Sequence, residues 1–276
     1  MSLSPMLRPR MLRSRKPRLC LRLGALCLIF AAATAQATPA VVVADIVTTQ
    51  VPEAKAPDTG PFAVEVGTRT VLLPRLDGYV GMYEMPTQFR TLIEQATPPT
   101  MRLLQASMHV DDLNMQPSEY SDRLAFDAYA LRSMEDEHVS DAEWASTRQQ
   151  VAAGLRRADA APHVSRNAER LNDAFQTYTG GEIRYEAGKP GEQVVYRVDA
   201  RSVRMHLVLP SRQTIAGEVY DVEMVRVVSI NLVRGRIVYL GGSLEFPAGK
   251  VDIAHVVRAT DAYIDAVHRL NPAQDD

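Results

Sequence analysis

The sequence predicts an α+β fold, an antiparallel sheet with a long C-terminal β-hairpin, flanked by amphipathic helices. Three observations predict it. Residues 219–233 and 236–246 are two strand-forming runs joined at Arg234-Gly235, where the glycine supplies the backbone freedom of a tight turn. In the first run Val222, Met224, Val228, Ile230 and Leu232 share one face and Val225, Val227 and Val233 the other, so both faces need cover. Helical spacing of apolar residues flanks these strands in sequence and supplies that cover.

The elements follow in order. Arg8, Arg10, Arg13, Arg15, Lys16, Arg18 and Arg22 precede the apolar run 23–33, which exits through Ala35-Gln36-Ala37. A basic region, a short apolar core and an A-x-A exit describe a secretory signal peptide over 1–37, cut after Ala37. The rival is an uncleaved anchor, since residues 23–44 carry no charge and about 20 apolar residues span a bilayer. Thr34, Gln36, Thr38 and Pro39 dilute that run, which favours cleavage. Residues 38–60 are small, proline-bearing and aperiodic and read as a flexible linker, leaving 61–276 as one α+β domain.

Within the domain, 62–74 reads as two short strands around Gly67, and 76–81 as a turn with an edge strand. Residues 86–96 place Phe89, Leu92 and Ile93 at helical spacing before Pro98-Pro99 stops the helix. Strands follow at 101–110 and 123–133. Ser140-Asp-Ala-Glu143 is a capping box opening a helix with Trp144, Val151 and Leu155 on one side. A second helix, about 163–178, aligns Val164, Ala168, Leu171, Phe175 and Tyr178 and stops at Gly180-Gly181. Short strands at 182–186, 193–199 and 202–209 lead into the hairpin. A last helix opens near Asp252 with Val256, Thr260, Tyr263, Val267 and Leu270 in line.

Leu73-Pro74 and Gly78-Tyr79 ending the N-terminal strands, a mid-chain helix, a hairpin turning at Arg234-Gly235-Arg236 and a C-terminal amphipathic helix resemble the PsbP-like α/β/α sandwich of small exported bacterial proteins. This chain adds the helical pair at about 141–178. The resemblance implies a fold, and roles that are mostly binding or accessory.

Charge and composition narrow the function. The chain has 31 basic and 33 acidic residues, and removal of the seven leader charges leaves 24 against 33, a net −9. An acidic surface without a basic stripe argues against nucleic acid and anionic membranes as partners. Cys20 and Cys27 both lie in the leader, so the mature domain is cysteine-free, with no disulfide, thiolate nucleophile or cysteine metal site.

Motifs for catalysis are thin. Gly241-Gly242-Ser243 lacks the second glycine of a nucleophile elbow and reads as close packing in a strand. His109, His138, His163, His206, His255 and His268 are scattered singly, without the paired spacing of a zinc site. Met134-Glu-Asp-Glu-His138 lacks a calcium-loop pattern and reads as a solvated linker before the capped helix. The glycines at 180–181, 188–191 and 241–242 match no phosphate loop. Met82, Met85, Met101, Met108 and Met115 form a thioether-rich stretch that suits Cu(I), and equally suits core filling.

Residues 107–117, SMHVDDLNMQP, draw the eye for chemistry. Strand alternation places Leu104, Ala106, Met108 and Val110 on one face and Gln105, Ser107 and His109 on the other, leaving His109 and Asp111 as a residual pair. No catalytic, cofactor or metal residue is assigned. The expected role is an exported, soluble, non-catalytic accessory or binding protein of the bacterial envelope, of which an inhibitor or immunity-type protein is one form. Its expected partner is another envelope protein or a small ligand. A hydrolase built from dispersed Asp, Glu and His residues and a methionine-based copper protein are the alternatives.

Overall fold

The computed structural model describes residues 60–85, 87–114, 121–179 and 183–273. The leader, its cleavage point, the linker up to residue 59, Met115 and the Gly180-Gly181 helix stop lie outside them. β1 (Phe62–Val66) and β2 (Arg69–Leu73) pair antiparallel around Gly67 as a separate ribbon. The other strands form an eight-stranded antiparallel sheet in the order β3 (Tyr79–Gly81), β4 (Met101–His109), β5 (Ala125–Leu131), β10 (Arg236–Pro247), β9 (Glu218–Val233), β8 (Ser202–Ile215) and β6 (Ile183–Ala187). β7 (Val194–Val198) shares the β8 edge with β6. The helices are α1 (Thr87–Ala96), α2 (Asp141–Arg157), α3 (Ala161–Thr179) and α4 (Ile253–Leu270).

The hairpin faces decide the layering. Met224, Val228, Ile230 and Leu232 pack with Trp144, Val151 and Leu155 of α2 and Val164 of α3. Val225, Val227 and Val233 pack with Val256, Tyr263, Ile264 and Val267 of α4 and with Val66, Val71 and Leu73 of the ribbon. The sheet therefore lies between α1, α2 and α3 on one face and α4 with the ribbon on the other. At the hairpin turn Arg234 and Gly235 both take positive φ, 50° and 75°, which matches the right-handed twist of the strands they join. Ser140 caps α2, with Glu143 returning the bond, as its spacing predicts.

Two glycines at the centre of β10 serve opposite faces. A side chain on Gly241 would overlap the Arg226 guanidinium, and one on Gly242 would overlap Thr260 of α4. Gly241-Gly242-Ser243 is thus a close-packing site, with α4 seated against bare backbone.

Two sequence readings are corrected and a third is refined. β4 carries a bulge between Leu103 and Gln105, so Leu104 joins the α4 face while Ala106 and Met108 stay on the other; Val110 opens a 3-10 turn, Val110–Asn114, instead of extending the strand. β8 runs through Pro210 to Ile215 and does not stop at 209. Pro210 sits where the neighbouring edge is broken between β6 and β7, its carbonyl accepting from Gly188 N–H, so its missing N–H costs no ladder bond. Residues 134–138, expected as a solvated linker, are docked through Met134 and Glu135, while Asp136 and His138 are exposed. Met134 is buried, Glu135 pairs with Arg102 at 2.9 Å, and His138 packs against Gly235.

Asparagine amides close two backbone gaps. Tyr185 N–H donates to Asn172 Oδ1 at 2.7 Å and Asn172 Nδ2 donates back to the Tyr185 carbonyl at 2.8 Å, so α3 occupies the outer rim of β6. At the other rim Gly81 N–H donates to Glu84 Oε2 at 2.9 Å, and Arg75 holds that carboxylate at 2.7 Å. Asn271, fully buried at the end of α4, makes the same two-way clasp on Leu72, at 2.9 and 2.7 Å, and its Nδ2 also reaches the Val267 carbonyl. Asn271→Asp removes both donated bonds and sets a carboxylate against two carbonyls. The expected loss is about 2–4 kcal/mol, read as a lowered urea midpoint; an unchanged midpoint would show that the ribbon is held by its apolar contacts alone.

α4 is further tied to β7 and β8 by charge. Arg204, 3 % exposed, reaches Asp261 and Asp265 at 2.7 Å each and takes Ser202 Oγ on its Nε. Tyr196 donates to Asp261 at 2.9 Å, and Arg197 flanks Asp199 at 3.2 Å. His268 Nε2 meets Asn231 Oδ1 at 3.0 Å. Burial, followed by the nearby Arg201 and Arg204, pushes the imidazole pKa down to about 4.

Candidate functional site

The α1–α3 face of the sheet is apolar at its centre and polar toward the far end of the hairpin. Along β9, the alternation that buries Met224 and Val228 also buries Arg226 between them. Along β5 the position two before Tyr129 is Asp127. The two side chains meet over Gly241 in a two-pronged ion pair, 2.7 and 2.6 Å, each 1 % exposed. Planar guanidinium and carboxylate groups suit this geometry, and the bare glycine gives them room. Arg226 Nε has no partner among the described residues.

The polar row continues past this pair. Glu245 stands on the same face of β10 as Tyr239 and Gly241, opposite Met224 of β9. Gln213 of β8 reaches across β9 and donates its Nε2 to Glu245 Oε1 at 3.0 Å. Tyr185 of β6 pairs in register with Gln213, and its hydroxyl lies beside Ser211 and Glu245. Ser211, Gln213 and Tyr185 are buried, while Glu245 keeps partial contact with solvent. Burial pushes the Glu245 carboxyl up to about 7 against the small opposing effect of Gln213. Tyr185 is pushed up to about 12, again mainly by burial. α3 covers this end of the sheet with Ala168, Leu171 and Phe175, and α1 adds Leu92 and Ala96.

This arrangement has defined chemical capacity. Asp127 and Arg226 neutralise one another, whereas Glu245 has one neutral amide as its partner among the described residues. Gln213 gives one of its two amide N–H groups to Glu245. Acceptors and hydroxyls thus gather beside Glu245, next to the apolar cluster that α3 forms on Tyr185.

The residues singled out in the sequence fall elsewhere. His109 and Asp111 are brought together: Asp111 N–H donates to His109 Nδ1 at 3.3 Å, and the Asp111 carboxylate stands 3.5 Å from the same nitrogen. The backbone N–H occupies Nδ1, and the carboxylate has a shorter contact elsewhere. Asp111 instead pairs with Arg123 at 3.0 Å, and buried Asp112 accepts from Ser121 at 2.8 Å. The cluster fastens the 3-10 turn to the segment before β5.

The other histidines stay dispersed. His206 lies 5.9 Å from the Tyr196 ring, His255 3.3 Å from the Asp122 carbonyl, and His163 2.8 Å from Arg166. Among the described residues no three His, Cys, Asp or Glu side chains are placed to hold a metal ion. Met82 and Met101 lie in the main core with Met134, while Met85 and Met108 form a smaller cluster with Val80 and Ile93. The recess between His138, Asp141, Arg201 and Arg234 encloses about 30 Å³, room for water and not for a metabolite.

The sequence reading did not single out Glu245, Arg226, Asp127 or Gln213. Their signal was phase: each stands where strand alternation calls for an apolar residue. No protein family matches this chain, and no curated protein does.

Proposed function

We propose that this chain is an exported, non-catalytic binding protein that holds a small polar ligand on the helix-covered face of its sheet. The observation that carries the reading is Glu245, a carboxyl set on that face beside Gln213, Ser211 and Tyr185 with no cationic partner among the described residues. Leaving an acid in such a place costs stability that leucine or glutamine would not, and strands retain such groups where a ligand uses them. Charged groups nearby are engaged with each other, which suits recognition more than bond making. The basic, apolar and small-residue order of the N-terminus supports export. The layered architecture, with α4 and the ribbon opposite α1–α3, supports a PsbP-like sandwich enlarged by the α2–α3 pair.

Thermal unfolding of the full chain across a panel of neutral, cationic and anionic polar compounds tests this. A compound present at about one hundred times its Kd adds about 2.7 kcal/mol, which raises Tm by about 5–10 °C for a domain of this size. Gln213→Leu, which removes the amide beside Glu245, is expected to abolish the shift. A panel that leaves Tm unmoved in every class overturns the proposal.

A further inference from the structure

We propose that the ligand is a small organic ammonium ion, anchored by the Glu245 carboxylate on the α1–α3 face; this rests on the reading of that face as the ligand site. The argument is one of complementarity. Asp127 and Arg226 form a closed pair, each with its charge satisfied by the other, so neither offers a free charge to a ligand. Glu245 is the acid on this face whose described partner is a neutral amide, with one carboxyl oxygen outside that bond. Gln213 gives an amide N–H to Glu245 and retains an acceptor oxygen, and the Ser211 and Tyr185 hydroxyls can accept as well. A ligand rich in donors and positive charge fits this set. An anion would meet a carboxylate and an amide oxygen.

The surroundings strengthen the match. The groups placed beside Glu245 are Gln213 on β8 and Tyr185 on β6, and Tyr185 in turn packs with Ala168, Leu171 and Phe175 of α3 and with Leu92 and Ala96 of α1. An alkyl chain carried by the ammonium group would lie against these apolar side chains. Partial burial of the carboxyl raises its affinity for a proton when no cation is present. An incoming ammonium replaces that proton: the O–H bond of Glu245 is broken, the proton leaves to solvent, and an N–H···O⁻ ion pair takes its place. Binding is therefore proton-linked. Below the carboxyl pKa of about 7 the affinity falls as the pH is lowered, approaching tenfold per unit, and above it the affinity levels off.

The test uses the full chain and n-butylammonium chloride as probe, with n-butyramide and potassium chloride as controls, by titration calorimetry at pH 5.5, 6.5 and 7.5. Repeating each titration in two buffers of different ionisation heat counts the protons released. Wild type is expected to bind butylammonium at least tenfold more tightly than Glu245→Gln, a shape-conserving change, and more tightly than either control. It should release close to one proton at pH 5.5 and less at 7.5. Equal affinity in wild type and Glu245→Gln, or butyramide binding as well as butylammonium, overturns the inference. A neutral or anionic compound that stabilises the protein while butylammonium does not leaves the ligand site standing and removes the ammonium assignment. Absence of any binding in a folded wild type removes both.

Discussion

Asp127→Ala lowers the stability of this protein by about 3–5 kcal/mol, because it strands the Arg226 guanidinium in the sheet without a counter-charge. Both side chains are 1 % exposed and meet through two bonds of 2.6 and 2.7 Å, so water cannot replace the lost carboxylate. The cost belongs to the unpaired cation more than to the pair. Removing both charges, as in Asp127→Leu with Arg226→Met, is expected to restore stability to within about 1 kcal/mol of wild type, since an apolar replacement also ends the desolvation penalty. Urea unfolding of the two single variants and the double variant completes the cycle. A loss below about 1 kcal/mol in Asp127→Ala would mean that solvent reaches Arg226 and that the face is more open than the burial describes.

The second large effect is in the pH dependence. Glu245 binds its proton more tightly folded, with a pKa of about 7, than at its ordinary 4.5. The folded state then holds more protons between these values, and stability falls as pH rises from 4.5 through 7. His268 has the opposite sign: its folded pKa is about 4 against an ordinary 6.5, so stability is lost as pH falls from 6.5 toward 4. Between pH 4.5 and 6.5 the two slopes oppose. Glu245→Gln is expected to gain stability relative to wild type as pH rises, by about 2 kcal/mol at pH 7.5 after discounting for the solvent contact Glu245 retains. His268→Gln, which keeps a donor toward Asn231, is expected to gain at the acid end. Unfolding free energies of the three proteins from pH 4 to 8 decide it. A difference between wild type and Glu245→Gln that does not change with pH would show that the carboxyl titrates as it does in water.

How much of this was legible in the chain can be traced residue by residue. The hairpin faces were, because period-two alternation over sixteen residues of β9 leaves no other register that buries both sets. The capping box was, because its two bonds depend on local spacing alone. The β4 bulge was not: Leu104 carries no glycine or proline mark, and its displacement follows from pairing with β5 across more than twenty residues of chain. The run of β8 past Pro210 was hidden because proline is tolerated there through a break in the adjacent edge, a tertiary fact. The polar row was written in the sequence yet overlooked. Arg226 between Met224 and Val228, and Glu245 two positions beyond Ser243, interrupt the core phase without any motif, and a partner at Asp127 lies 99 positions away. By contrast His109 and Asp111, conspicuous in sequence, are brought together only to brace a turn.

The rims of the sheet carry a consequence for life at high concentration. A bare strand edge is a template, and any chain with matching backbone groups can add to it, layer after layer, toward fibrils. At Tyr185 the template is already occupied by the amide of Asn172, and at Gly81 by the carboxylate of Glu84. Asn172 imitates one residue of an absent neighbouring strand and Glu84 supplies an acceptor alone, and neither can itself be extended. The break between β6 and β7, with Pro190 at its centre, spoils the flatness that a second copy would need. The same side chains that complete the fold thus also blunt the rim at these points.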